Sequence, residues 1–415
     1  MAATLQTVAS PNAVWRKTAE TPSCNWSGLR AAQVTVRRKL VVEGWRGINH
    51  SYAMVNQWQI LELLRRGQSI RFRDAPFFKQ EWNRQYNSSG LDPGQAAAIS
   101  ELHAPDHDET SDVTFRIAYP YDFSAASTGR LFVFGTAEDG SIEGMVRDGL
   151  GIDQARRHGV RIVTPSGWSK TGFLAYGFAE SEVHVIPHGV DPGIFRPADA
   201  MGRARLRSML RFGPEDFVLL SLGSMSANKG VDLLLRAYAI LKPRYPKLRL
   251  ALKDSADLYG WQGQGILRGL MAGPHGRDFT EPVLRDIAFI SRNLNVRQMQ
   301  ALYVAADCYV SPYRREGFNM PPLEAAACGV PIIVTSGGAT EAYFDPRLGY
   351  TIESRVVEDG DRRFLDPDLD SLIDRIETAM LRPGAVGGSA GSALVHDRFS
   401  WSAVCDTLAT TLFDG

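Results

Sequence analysis

Short apolar runs alternate with helical stripes along this chain. Lys39-Leu40-Val41-Val42-Glu43 reads as a strand running into the turn Gly44-Trp45-Arg46-Gly47-Ile48-Asn49. A helix is predicted from His50 to about Arg65, because Met54, Val55, Trp58, Leu61 and Leu64 recur three and four residues apart. Further short strands are predicted at Ser69–Arg73, Val113–Ala118, Leu131–Phe134, Arg161–Thr164 and Val183–Ile186, with helical stretches between several of them. The turn-rich His188–Pro197 reads as the exit from a first domain. The pattern then restarts with a strand at Phe217–Leu222, a loop from Gly223 to Gly230, and a stripe of Val231, Leu234, Leu235, Tyr238 and Leu241. Strands at Leu248–Leu252, Cys308–Val310 and Ile332–Val334 follow, with a helical face of Val296, Met299, Leu302, Tyr303 and Ala306.

This alternation predicts α/β architecture with two parallel, doubly wound sheets. The expected division is a lead-in over 1–37, one domain over 38–196, a second over 197–398, and a final helix within 399–415 that packs back on the first domain. Residues 383–392, PGAVGGSAGS, read as a small-residue spacer. Ligands of open α/β sheets sit at the carboxyl ends of the strands, so a crevice between the halves is the expected site.

Length supports two domains, since 415 residues exceed one ordinary core. Lys plus Arg equals Asp plus Glu at 46 each, so bulk charge argues for no nucleic-acid partner. A local excess of Arg16, Lys17, Arg30, Arg37, Arg38, Lys39 and Arg46 leaves two readings, a solvated arm or a peripheral contact with acidic lipid or phosphate. The dispersed Cys24, Cys308, Cys328 and Cys405 have neither metal nor redox spacing. A reduced cytoplasmic setting is expected, possible contact with the inner membrane face included. No apolar run approaches the roughly 18 residues of a membrane span, and MAATLQTVASPNAVWRKTAE lacks the form of a secretory signal.

Three stretches carry candidate chemistry. Gly44-Trp45-Arg46-Gly47, with His50 beyond, joins a strand to a helix, where backbone N–H groups and the helix terminus attract an anion. A structural turn is the alternative. Gly223-Ser224-Met225-Ser226-Ala227-Asn228-Lys229-Gly230 is a second such loop. There Lys229 suits a diphosphate, or Asn228 simply caps the helix. REGFNMPPLEAAACGVP, residues 315–331, is the third. Pro321 or Pro322 fits the first turn of a helix and Gly329 its end. Glu324, placed in that first turn, suits a sugar diol, which a carboxylate accepts with two oxygens. Alternatively Glu324 favours the helix dipole and Glu316 is solvated. His103, Asp106, His107 and Asp108 are metal-capable residues, but Pro105 breaks their helical spacing. Asp366, Asp368 and Asp370 precede a helix and read as capping.

Together the motifs resemble glycosyltransferase family 4, the retaining, nucleotide-sugar-dependent group 1 enzymes of GT-B fold. The resemblance spans roughly 38–412. It rests on EGFNMPPLEAAACGVPIIVTSGGATE, VTPSGWSKTGF, VHVIPHGVDPGIFRP, LGSMSANKGVDLLLRAYAIL and NVRQMQALYVAADCYVSPYRREGF, in the family's order. It implies two Rossmann-like domains facing across a cleft and a hexosyl or related transfer to a carbohydrate, lipid-linked or small-molecule acceptor. Lys229 and Glu316 would be catalytic. Gly317, Phe318, Asn319 and Met320 would hold donor sugar and phosphate, and Glu324 the ribose. Gly44, Trp45, Arg46 and Gly47 would close the phosphate pocket. His50, Tyr119 and Tyr121 would face the acceptor. No metal and no cofactor is implied, the nucleotide sugar being a substrate. One departure is Ser224, where many members carry arginine. Lys253 is the expected substitute. That departure also motivates a non-catalytic sugar-nucleotide-binding subunit as an alternative, and a GT-B phosphorylase or epimerase is the third reading.

Overall fold

The computed structural model describes residues 38–84 and 91–414, so the lead-in expected over 1–37 lies outside it. The chain forms two compact units. One unit contains, among the described residues, 38–189, Glu358–Arg363 and 397–414. The other contains Val190–Val357 and Phe364–His396.

The first unit is built on β1 (Lys39–Gly44), β2 (Ser69–Asp74), β3 (Val113–Ile117), β4 (Arg130–Phe134), β5 (Arg161–Thr164) and β6 (Val183–Val185). They form a parallel sheet in the order β2-β1-β3-β4-β5-β6. Runs such as Leu40-Val41-Val42 are buried on both faces, as parallel strands covered by helices require. The chain moves from β1 outward to β2 and then returns to the other side of β1 for β3. Loops leaving β1 and β3 therefore flank a topological switch point, the place where such sheets accept ligands.

The helix after β1 spans Ser51–Arg65 with His50 as its N-cap. Its expected stripe is only part of the truth, because Asn56, Gln57, Gln59 and Glu62 are buried as well. The cause is a second cover: helix Trp401–Phe413 lies on it, with Arg66 bonded to Asp406 and to the Ser402 carbonyl at 2.7 Å. Arg130 reaches the Leu412 carbonyl at 2.8 Å.

The second unit repeats the plan with β7 (Phe217–Gly223), β8 (Leu248–Asp254), β9 (Ile287–Ile290), β10 (Cys308–Ser311), β11 (Ile332–Thr335) and β12 (Gly349–Ile352). Their order is β12-β11-β10-β7-β8-β9, again parallel. Here the switch point lies between β7 and β10. Helix Val231–Leu241 buries its predicted stripe against this sheet. The predicted spacer is corrected, because Gly388–Phe399 is helical. Its small residues allow close approach: Gly388 donates to the Gly329 carbonyl at 2.8 Å and Ser392 to that of Ala327 at 2.7 Å. No helix among the described residues is long and apolar enough to cross a membrane.

Candidate functional site

Two loops at the second switch point bring distant residues together. After β7 the chain turns through Ser224 and Met225, makes a tight 3-10 turn at Ala227–Lys229, and enters helix Val231–Leu241 through Gly230. Gly223 clears the path of the Lys229 side chain, since a Cβ there would stand 2.8 Å from the lysine Cε. The loop after β10 carries Pro312 to Asn319. Arg314 fastens the two loops, with its amide on the Asn228 carbonyl at 2.7 Å and its guanidinium on both Asp232 oxygens at 2.7 and 2.8 Å. The result is an ion pair between Lys229 Nζ and Glu316 Oε1, both largely buried. Asn228 does not cap the helix. Gly230 holds the N-cap position, and no side chain bonds to it there.

The opening of the next helix is unusual for a non-glycine residue. Asn319 takes a left-handed conformation at φ 67°. Two contacts hold it there: its Nδ2 donates to Ser311 Oγ at 2.9 Å, and Tyr343 Oη donates to its carbonyl at 2.8 Å. Phe318 is buried against the Tyr343 ring. Helix Met320–Ala327 starts immediately, with Pro321 in its first turn, and Gly329 at φ 77° follows its end. Glu324 lies a turn deeper than expected, so it is not a first-turn carboxylate. It is buried, and its Oε2 accepts from Tyr303 Oη at 2.6 Å. Burial pushes this carboxyl up to about 7, against the lowering effect of the tyrosine.

Not every expected donor residue joins this cluster. Ser224 Oγ lies 3.1 Å from Ser226 Oγ. Lys253 pairs in register with Leu222, on the side of β7 away from β10, and its ammonium donates to the Asp254 carbonyl. Asp254 in turn accepts from Ser291 Oγ at 2.7 Å.

The expected residues of the first unit follow the carboxyl ends of the adjacent strands β1 and β3. Gly44 is required because a Cβ there would lie 2.6 Å from the Ile117 carbonyl oxygen. The turn's amides are largely engaged: Trp45 N–H on Ile117 O at 3.3 Å, Gly47 N–H on Gln57 Oε1 at 2.8 Å. Arg46 turns inward. It grips Asp74 with two bonds of 2.9 Å and the carbonyls of Ile99 and Leu102 at 2.6 and 3.0 Å, over the Phe72 ring. Its donors serve the fold of this unit. We expect Arg46→Met to destabilise the protein by about 3 kcal/mol, the scale of breaking a buried charged network, measured by urea unfolding.

His50 is neutral, because burial pushes its pKa down to about 4. Its Nδ1 caps the helix by accepting from Tyr52 N–H at 3.1 Å. Its ring meets Trp45 edge-on at 4.9 Å. Tyr121 is buried, with its hydroxyl 2.9 Å from Tyr52 Oη, 2.6 Å from the Thr136 carbonyl and 2.8 Å from the Thr136 amide. This network sets the loop after β4. Tyr119 is half-buried and touches Phe78, which is exposed.

Asp368 caps helix Leu369–Leu381 by accepting from Ser371 N–H at 2.7 Å, as its place before the helix suggested. His107 meets Asp108 on the surface, and the His103 carbonyl accepts from Phe72 N–H. Sequence reasoning passed over Tyr303, Tyr343 and Arg314. Tyr303 was visible as one position of a helical face, but nothing marked its hydroxyl as the partner of Glu324.

The segment that builds the Lys229–Glu316–Glu324 cluster matches the family described as "Glycosyl transferases group 1" over residues 216–380. The family likeness lies in this segment, less than half of the chain. Mannosylfructose-phosphate synthase of Agrobacterium fabrum is 34% identical over 163 residues, 39% of this chain and 34% of that protein. D-inositol 3-phosphate glycosyltransferase of Actinosynnema mirum is 29% identical over 247 residues, 56% of this chain and 52% of that protein. The chain thus spans about half the length, or less, of these curated relatives. Anabaena HepE, solved in complex with UDP and glucose, superimposes with a TM-score of 0.64 at 16% identity, covering 91% of this chain and all of that one. WaaG, a glycosyltransferase involved in lipopolysaccharide biosynthesis, gives 0.59 at 14%, covering 90% of this chain and 100% of that one. At such identities the likeness is one of fold, the two-domain α/β arrangement of GT-B enzymes.

Proposed function

We propose that the protein transfers a sugar from a nucleoside-diphosphate donor to an acceptor hydroxyl, with retention of anomeric configuration. The observation that carries this reading is the convergence of Lys229, Glu316 and Glu324 at one switch point, inside the group 1 segment. A largely buried ammonium just before a helix N-terminus suits a diphosphate whose charge grows as the sugar departs. Glu316 accepts from hydroxyls of the donor sugar, the backbone amides from Gly317 to Met320 hold sugar and phosphate, and Glu324 takes the ribose hydroxyls. The leaving phosphate oxygen accepts the acceptor proton on the same face, so no protein base is needed. His50 and Tyr119, at the carboxyl end of the other sheet, serve the acceptor.

The test is titration calorimetry with UDP, GDP and ADP, followed by transfer assays with the sugar form of whichever binds. UDP is the first choice because HepE was solved with it. Binding without transfer to any of a broad acceptor panel would favour a non-catalytic subunit instead. Glu324→Ala is expected to weaken nucleotide binding about tenfold or more, the scale of a lost charged hydrogen bond. Unchanged affinity would refute the ribose role.

A further inference from the structure

Glu324 is an expensive residue to build into a core, and its surroundings show how it is kept usable. It lies on helix Met320–Ala327, packed against β10, β11 and helix Val296–Ala305, and β11 brings no titratable side chain. Three titratable groups face it: Tyr303 from the neighbouring helix, Tyr309 from β10, and Cys328 at the end of its own helix. Burial raises all three, so each stays neutral. Glu316, which also acts on Tyr309, is held by Lys229. None of these groups supplies a positive charge, and the hydroxyl of Tyr303 at 2.6 Å is the contact that favours the ionised form. That hydroxyl occupies Oε2 and leaves Oε1 without a hydrogen bond from the described residues.

We propose that Tyr303 is the positioning residue of the donor site, whose hydroxyl holds Oε2 of Glu324 and turns the other carboxylate oxygen to the ribose. The proposal rests on the nucleotide reading given above. A carboxylate is acceptor-only, whereas a protonated carboxyl presents a donor and loses half its match to a diol. The single hydrogen bond therefore sets both the orientation and the charge of the clamp. Tyr303 itself touches no substrate, because it is fully buried beneath the glutamate.

Glu324 ionises near neutrality, so wild-type nucleotide affinity falls as pH drops below about 7 and levels off above it. Tyr303→Phe removes the contact that favours the carboxylate, which moves the midpoint upward by about one pH unit or more, the scale of a charged hydrogen bond. At pH 7 the variant binds more weakly by about fivefold or more, and at pH 9 it regains most of the loss.

The experiment is calorimetric titration of the full chain with UDP, GDP and ADP from pH 5.5 to 9. It compares wild type, Tyr303→Phe, Glu324→Gln and the double variant, each checked for a cooperative thermal melt. Support is an upward-shifted midpoint in Tyr303→Phe that vanishes when Glu324→Gln is added. A Tyr303→Phe profile superimposed on wild type overturns the proposal. A pH-independent loss of affinity also overturns it, because that is what a packing defect produces. If wild type binds none of the three nucleotides, the donor reading itself has failed. If wild type binds and only the Tyr303 arm fails, the donor reading survives.

Discussion

Replacing Lys229 by alanine is expected to lower turnover by about two to three powers of ten, the scale of one lost charge-stabilising donor. The ammonium is paired with Glu316 in the structure, and both groups are mostly withdrawn from water. In the proposed transfer, a bound diphosphate would compete for that ammonium, and the pair would keep the cation positioned until that anion arrives. Charge would accumulate on the β-phosphate as the glycosidic bond breaks, and a preorganised cation in a low-dielectric site would meet it without reorganisation. Alanine removes this and leaves Glu316 as an uncompensated carboxylate beside the phosphate. The loss then contains a repulsive part, which Lys229→Ala/Glu316→Gln should relieve in donor affinity but not in turnover. Steady-state rates at saturating donor, with calorimetric donor affinities beside them, separate the two. Near-wild-type turnover in Lys229→Ala would remove the ammonium from the chemistry.

The strands were legible because parallel strands covered on both faces must be apolar almost throughout, and Leu40-Val41-Val42 and Ile332-Ile333-Val334 are. The loops at the switch points were legible because glycine marks where backbone must approach closely or turn through positive φ. Partner choice was not legible. Glu324 finds Tyr303 across 21 residues and Lys229 finds Glu316 across 87. Arg46 shows the difference most clearly. In the sequence it stands in a glycine turn, which suits a phosphate. Its direction is decided by Asp74 and by carbonyls at Ile99 and Leu102, on elements that no local pattern connects to it. Tyr121, expected at the acceptor, is likewise claimed by Tyr52 and Thr136. The extra burial of helix Ser51–Arg65 has the same origin, since its cover arrives some 340 residues later. Periodicity reports which face is apolar, not how many faces will be covered.

Gly230→Ala is expected to be among the most damaging single-methyl additions in the second unit. Gly230 has φ +63°, where any L side chain is strained by about 1–2 kcal/mol. A Cβ at this position would also stand 2.8 Å from the Pro312 carbonyl carbon, with the carbonyl oxygen closer still. That neighbour is backbone and cannot rotate away. Either the loop after β7 or the loop after β10 must shift, and overpacking of this kind adds about 1–3 kcal/mol. The sum is on the order of 3 kcal/mol, read as a lowered urea midpoint for the unit. The functional consequence is larger than the stability loss. Gly230 follows Lys229 directly, and Pro312 opens the loop that carries Glu316. A shift that relieves the overlap must separate the two loops that Arg314 fastens. A displacement near 1 Å is enough to spoil a preorganised charge site. The variant should therefore lose turnover well beyond its loss of folded protein, measured on the fraction that remains folded. If that fraction transfers sugar at the wild-type rate, the spacing of these loops does not set the activity of Lys229.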